Sequence, residues 1–482
     1  MSYPKFSISA IREITAGFVG RTSRGRRPSA GPARLATFAV VFAAIGSILL
    51  FGAHAATTNQ AFTLSPQSGQ VTGNAAVVTD STAVGGRAIK FGTGGTGGST
   101  PASCGTSTSG AAQPSGSSYG TDALHQWNCA LANRGTTPAT WVLWGDSITE
   151  GQGSSTVAGR WANQTLTALR SKYSVSGVAG GFGYIPAWYG TYGPDSQWST
   201  DPSMSGSITQ NAARDDGNDG QSFGNGAGLG MLTATLKSGG SDTFRVTGTS
   251  IDILYNYGSG SFSYKVDSGG ATTVSAGGGS GATGSTHVAF SSAGSHTVTV
   301  SGVSGSVILE GIMTYNGDET KGIRQYVGAQ SGTTSGDFAA QATNMAAITA
   351  SVKADLVTIE IGGNDYNRSS GTPAQTTANI KAMVSAIRSA GNAVGHVPSI
   401  VIVTVYPISG GNDAQGYPYS AYVSAIKSVA TSDSGLGFLD FSSFGATAGQ
   451  PSSLLSSSDD LHPSNSGQSK LATMVKSYLE DE

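Results

Sequence analysis

The sequence predicts an α/β fold: a parallel sheet between two layers of helices, a three-layer α/β/α arrangement, interrupted by an inserted antiparallel β-sandwich or jelly roll. Three observations predict it. Residues 141–149, Trp-Val-Leu-Trp-Gly-Asp-Ser-Ile-Thr, are a short apolar run that turns out at Gly145-Asp146-Ser147 just before a helical pattern begins. Leu356 to Ile361 is a continuous apolar run, and helix and strand patterns then alternate with short connections to the C-terminus, as in a buried parallel sheet. Between these two regions, from Phe244 to Tyr315, apolar residues alternate at period two and are broken by turns such as Asp267-Ser268-Gly269-Gly270. That pattern reads as an antiparallel β-sandwich of about 110 residues.

From the N-terminus, residues 1–34 carry Lys5, Arg12, Arg21, Arg24, Arg26, Arg27 and Arg34 against a single acid, Glu13, and residues 35–53 carry no charge. A basic flank before an apolar run keeps the N-terminus inside and sends the downstream chain out. Ala53-His54-Ala55 offers a small-x-small cleavage site. Residues 1–55 therefore read either as a cleaved signal peptide or as an anchor crossing the membrane through 35–53, and both place residue 56 onward outside the cell. Cys104 and Cys129 are the only cysteines and both fall in the exported part, which predicts a disulfide contributing roughly 3 to 4 kcal/mol by loop entropy. Residues 56–137 form a Gly/Ser-rich segment with a strand pair at Ala75 to Val78 and Arg87 to Phe91.

Composition narrows the function. Glycine supplies 71 of 482 residues, about twice its usual share, while charged residues at 11% are under half of theirs. A net charge of -2 gives no electrostatic case for nucleic acid, whose phosphate backbone demands concentrated Lys and Arg.

The first α/β part runs over 138–190. A serine on the turn at 145–147 sits at the carboxyl end of a strand, the edge where open α/β sheets bind ligands. A serine hydroxyl needs a neighbouring base. Of six histidines, His462 stands apart, in Asp459-Asp460-Leu461-His462-Pro463 between Ser-rich sequence and a final helical pattern. An aspartate three positions before it can orient the imidazole. Ala162, Leu166, Leu169 and Tyr173 share one helix face, with a short strand expected at 173–175. The sandwich insertion is placed at 191–321. The second α/β part, 322–482, carries helices over 337–353, 377–390, 421–431 and 466–479 and strands over 356–361, 400–406 and 437–441.

Gly145-Asp146-Ser147-Ile148, Gly177-Val178-Ala179-Gly180, Gly362-Gly363-Asn364-Asp365 and Asp459-x-x-His462 resemble the four motif blocks of the SGNH (GDSL) hydrolase family, in the family's order. The resemblance implies a flavodoxin-like parallel sheet and a serine esterase. By it, Ser147 is the nucleophile, His462 the base and Asp459 its orienting acid, with the N–H of Ser147, the N–H of Gly180 (or Gly181) and the Asn364 amide forming the oxyanion hole. The combination is similar to extracellular carbohydrate esterases with an inserted β-sandwich.

Trp188 and Tyr189 directly follow the glycine turn and are candidates for stacking on sugar at the rim. The expected substrate is an O-acylated extracellular glycan, O-acetyl above all, and the expected state a monomer. No metal or organic cofactor is called for. The same triad would serve an O-acyltransferase or a lipase-type esterase. A surface binding protein with a vestigial site is the reading from another class, opposed by the intact Ser147, Asn364, Asp459 and His462.

Overall fold

The computed structural model describes residues 75–79, 87–91, 121–189, 202–212, 222–223, 232–277 and 283–480. The leader or anchor expected at 1–55 and Cys104 lie outside them. Strands β1 (Ala75–Thr79) and β2 (Arg87–Phe91) pair antiparallel in a unit of their own.

The second unit begins with helix α1 (His125–Asn133), which carries Cys129, followed by β3 (Ala139–Gly145). All seven residues of β3 are buried, and alternation sends its side chains to both faces. Trp141 and Leu143 enter one core and Val142 and Trp144 the other. Trp127, Trp141 and Trp161 pack in series at 6.5 and 6.2 Å. This anchors α1 and the following helices α2 (Ser147–Glu150) and α3 (Trp161–Lys172) on the first face. The strand expected at 173–175 is instead a tight turn, with a single bridge between Val175 and Val178.

The antiparallel region comes next: β4 (Gly183–Pro186), β5 (Ser203–Ser205), β6 (Ile208–Ala212), β7 (Ser222–Phe223), β8 (Leu232–Lys237), β9 (Ser241–Asn256), β10 (Ser261–Val266), β11 (Thr272–Ser275), β12 (Thr283–Ser304) and β13 (Ser306–Tyr315). They form one ten-stranded network. β4 already pairs with β13, Gly183 opposite Thr314 and Pro186 opposite Gly311, so the network takes in residues ahead of 191. Two long strands give it sandwich form. β9 and β12 pair along both halves, with a register break between Ala289 and Gly294 facing Gly248. Across the break the inward positions of β9 change parity, from Phe244 and Val246 to Ile251, Ile253 and Tyr255, and all five enter the same core. A strand that bends there passes from one layer to the other. From the outer face of this region Leu254, Met313 and Tyr315 join Tyr326 in the second α/β core.

The chain then returns to the parallel sheet: β14 (Ile323–Ala329), α4 (Ser335–Ala340), α5 (Ala342–Ser351), β15 (Leu356–Glu360), α6 (Gly363–Asn367), α7 (Pro373–Ala393), β16 (Ser399–Thr404), α8 (Tyr419–Thr431), β17 (Leu436–Asp440) and α9 (Asn465–Glu480). The helix expected over 337–353 is thus two, broken at Gln341. Sheet order is β14-β3-β15-β16-β17, every pair parallel. The three-layer α/β/α architecture with an inserted antiparallel domain is as expected. One register row, Ala329, Gly145, Glu360, Val403 and Leu439, ends the strands at their carboxyl edge, and the site is built just beyond it.

Candidate active site

Gly145 and Glu360 face each other at that edge, so the turns that leave β3 and β15 are neighbours. Asp146 caps α2, with its Oδ1 taking the Ile148 N–H at 2.9 Å. The cap fixes Ser147 at the first position of the helix, immediately beyond the strand. A histidine from far along the chain meets it there. His462 Nε2 lies 2.9 Å from Ser147 Oγ, and His462 Nδ1 lies 2.6 Å from Asp459 Oδ2. Both Ser147 and His462 are buried. Asp459 Oδ1 also accepts the N–H groups of Leu461 and His462, at 2.9 and 3.0 Å. One carboxylate therefore shapes the turn and orients the ring. Partial burial acts to raise the Asp459 carboxyl, but the bonds from His462 and from the Leu461 N–H outweigh it and hold it below its ordinary range.

The segment bearing His462 is clamped by groups that carry no motif in the sequence. Gln468 on α9, fully buried, donates to the carbonyls of Gln152 and Pro463 at 3.1 and 3.3 Å and accepts the Trp161 N–H at 2.8 Å. Gly153, at φ +89, is where this loop meets Pro463: a Cβ would stand 2.5 Å from that carbonyl oxygen. Tyr406 donates its hydroxyl to the Leu461 carbonyl.

Asn364 follows β15 on the same edge, one residue into α6. Its amide nitrogen donates to Asp146 Oδ2 and to the Thr333 carbonyl, each at 3.1 Å. Asp365 braces the same turn, taking the Ser335 N–H and the Thr376 hydroxyl, both at 2.9 Å.

Gly180 is not at the site. Arg170 reaches from α3 to the Gly181 carbonyl at 2.5 Å and to the Ile323 carbonyl at 3.0 and 2.8 Å, and Ile323 pairs with Ala139 at the opposite end of β3 from Gly145. Seven residues of strand, about 20 Å at 3.3 Å each, separate that end from Ser147. Gly181 goes with it. On the side of β3 away from β15, the strand whose carboxyl end does adjoin Ser147 is β14, delayed in sequence by the insertion.

The loop beyond β14 is tied to the nucleophile turn. Gln330 N–H donates to the Gly145 carbonyl at 3.1 Å, and Glu150 Oε2, on the helix of Ser147, accepts the Ser331 N–H at 2.7 Å and the Ser331 hydroxyl. Gly332 sits in this loop at φ +77, a backbone conformation glycine adopts without strain. The sequence does hold a signal for it: an apolar run ending at Ala329, then Gly332, then the capping box Thr334-x-x-Asp337.

Trp188 and Tyr189 do not form a rim platform. Both are buried in the sandwich core, and the Trp188 indole donates to the Thr233 carbonyl at 2.8 Å. They are packing anchors where the chain enters that domain. Among the described residues no cluster of His, Cys, Asp and Glu has the arrangement of a metal site, and no helix is long and apolar enough to cross a membrane.

Residues 310–470 match the model of the GDSL-like lipase/acylhydrolase family. The match takes in Gly332, Asn364, Asp459 and His462 and starts downstream of Ser147. No curated protein matches the chain. Among solved structures, a peptidoglycan O-acetylesterase is similar at TM-score 0.53 and 17% identity, over 74% of this chain and 95% of that one, a likeness of fold. A family two carbohydrate esterase from Cellvibrio japonicus aligns at TM-score 0.24 and 13% identity, over 58% of this chain and all (100%) of that one. The expected SGNH/GDSL-type ester hydrolase is borne out by the family match over residues 310–470.

Proposed function

We propose that this SGNH/GDSL-type esterase removes O-acyl groups, O-acetyl above all, from an extracellular carbohydrate through an acyl-enzyme on Ser147. The observation that carries the reading is the relay from Asp459 through His462 to Ser147 Oγ, at 2.6 and 2.9 Å. His462 Nε2 takes the Ser147 proton as the oxygen attacks the ester carbonyl, and returns it to the departing alcohol. Water, activated by the same nitrogen, then releases the acid. Asp459 stays ionised and stabilises the imidazolium that forms between the two transfers.

The oxyanion is received by the Ser147 N–H, by the Asn364 amide and by the loop after β14 at Gly332, in place of Gly180. Burial of the serine and histidine keeps these dipoles in a low-dielectric setting, where each counts for more.

Three features support an extracellular glycan as substrate: the basic-then-apolar leader of residues 1–55, a sequence with 11% charged residues, and a fold shared with a peptidoglycan O-acetylesterase. Export also favours the pairing of Cys129 with Cys104. In this reading the chain works outside the cell, either released or held by residues 35–53.

The test is acetate release by the purified protein from acetylated polysaccharides and from O-acetylated peptidoglycan, with Ser147→Ala as control. Release that disappears in the variant supports the esterase and identifies its glycan. Activity on a simple aryl acetate alone leaves the esterase standing and removes the carbohydrate; no release from any ester overturns the reading.

A further inference from the structure

Beneath the nucleophile turn lie two carboxyl groups outside the Ser-His-Asp relay. Asp146 and Glu360 are 2% and 1% exposed, and they leave neighbouring strands in register, Glu360 directly opposite Gly145. Glycine at 145 makes the room: a Cβ there would reach within 3.0 Å of Glu360 Oε2. That oxygen accepts the Thr149 hydroxyl at 2.9 Å. Asp146 is fully committed on its own side, Oδ1 to the Ile148 N–H and Oδ2 to the Asn364 amide.

Glu360 Oε1 is buried and has no partner in full hydrogen-bonding geometry, and the groups set against its carboxyl on the side of the nucleophile turn are the Asp146 side chain and the Asp146 N–H. Two ionised carboxylates offer only acceptors. The contact is satisfied when one of them carries a proton and donates it. Among the described residues no Lys or Arg is set against the pair. Besides the N–H groups of Asp146 and Ile148 and the Asn364 amide, the groups that face the pair are Thr149 on α2, Tyr406 after β16, Tyr419 on α8, Asp365 on α6 and His462. Burial, then the neighbouring Asp146 charge, pushes the Glu360 carboxyl well above its ordinary range.

We propose that Glu360 is a positioning residue held as the neutral acid: it donates its proton to Asp146, leaving Asp146 a single negative charge that grips the Ile148 N–H and the Asn364 amide. The proposal rests on the esterase reading for its catalytic consequence, since it is the nucleophile turn and the Asn364 donor that the pair holds in place. Loss of the shared proton sets two negative charges side by side in a buried space. The contact becomes repulsive, and the groups hung on Asp146 shift with it.

Two measurements test it. In the difference infrared spectrum of wild type minus Glu360→Gln at neutral pH, the carbonyl band of a neutral carboxylic acid is expected, whether or not any substrate is turned over. Absence of that band overturns the proposal, and because no ester is involved the result is independent of whether the esterase reading holds. The second measurement is the pH profile of kcat on an aryl acetate. Glu360→Leu, which removes the donor, is expected to lower kcat about tenfold or more with little change in KM, and Glu360→Gln, whose amide donates but does not titrate, to restore much of it. In wild type kcat falls as pH rises through the loss of the shared proton, and in Glu360→Gln that limb is missing. A Glu360→Gln profile that superimposes on wild type, limb included, overturns the proposal. Should Glu360→Leu fail to fold, Glu360→Gln and the infrared spectrum still decide.

Discussion

Asn364 gives its side-chain amide to Asp146 and to the Thr333 carbonyl at the same distance, 3.1 Å. An amide nitrogen has two hydrogens, and both are engaged at rest. A tetrahedral oxyanion must therefore draw one of them away, an exchange that strengthens only as negative charge develops. Asn364→Ala is expected to lower kcat about 10²- to 10³-fold with KM nearly unchanged. Steady-state kinetics on an aryl ester check it, and a loss confined to KM would reassign Asn364 to substrate binding.

Ser147→Ala and His462→Ala are each expected to remove turnover to within the residual left by the oxyanion donors. Combining them adds little further loss, because the pair acts as a unit. Asp459→Asn is expected to cost about 10³- to 10⁴-fold, part of it through the turn that Asp459 closes with the Leu461 and His462 N–H groups. Additive losses in the double variant would contradict the relay.

Gly332 and Gly180 offer a paired test of which glycine serves the site. Alanine at Gly332, where φ is +77, strains the loop tied to Ser147 by about 1 to 2 kcal/mol and is expected to reduce kcat about tenfold or more. Alanine at Gly180 places a Cβ 2.7 Å from the Arg170 guanidinium carbon, so Tm falls while kcat holds. The reverse pattern, with kcat lost in Gly180→Ala at unchanged Tm, would return the oxyanion role to Gly180.

The misplaced glycine shows where the sequence was legible and where it was not. Gly145-Asp146-Ser147 and Asp459-x-x-His462 were readable because each is a local device, a capped turn and a three-residue spacing whose geometry needs no distant partner. Asn364 was readable from the apolar strand before it. The second block depends on which strand stands beside β3, a long-range fact. Gly177-Val178-Ala179-Gly180 has the expected place in sequence after the first long helix, but the neighbouring strand is β14, which follows the insertion. Glu150, Glu360 and Gln468 were silent for a related reason. An acid or amide that belongs to no motif declares its purpose only when its partner, Ser331, Asp146 or Pro463, is brought up against it.

Trp188→Ala is expected to destabilise the protein by about 3 to 5 kcal/mol, as loss of a fully buried indole does, with no specific rise in KM for glycan. A variant with normal Tm and a raised KM on polysaccharide alone would restore the aromatic to the substrate rim.

Asp242 makes the sandwich sensitive to pH. It is fully buried and neither of its carboxyl oxygens has a donor in full hydrogen-bonding geometry. Burial pushes its carboxyl well above the ordinary range, only partly offset by the Thr243 N–H. A folded value above the unfolded one means that the group's stability contribution is fully present below the unfolded value near 3.8 and is lost as pH rises through the folded value. As pH rises through the folded value, Asp242→Asn is therefore expected to become increasingly more stable than wild type, and the gain should vanish in acid. Thermal unfolding of both forms across pH checks it; an equal offset at every pH would show that ionisation is not the cause.

The pairing of β4 with β13 also bears on how the molecule assembles. Gly183 and Thr314 face each other across a separation of 131 positions, so the two ends of the inserted domain leave it side by side. To the parallel sheet the insertion behaves as a short connection, since closing a longer flexible loop adds only about 0.6 kcal/mol per doubling and here the domain's own strands close it. β14, which carries the Gly332 loop, meets β3 across the whole insertion, so completion of the catalytic edge is a high-contact-order step in folding.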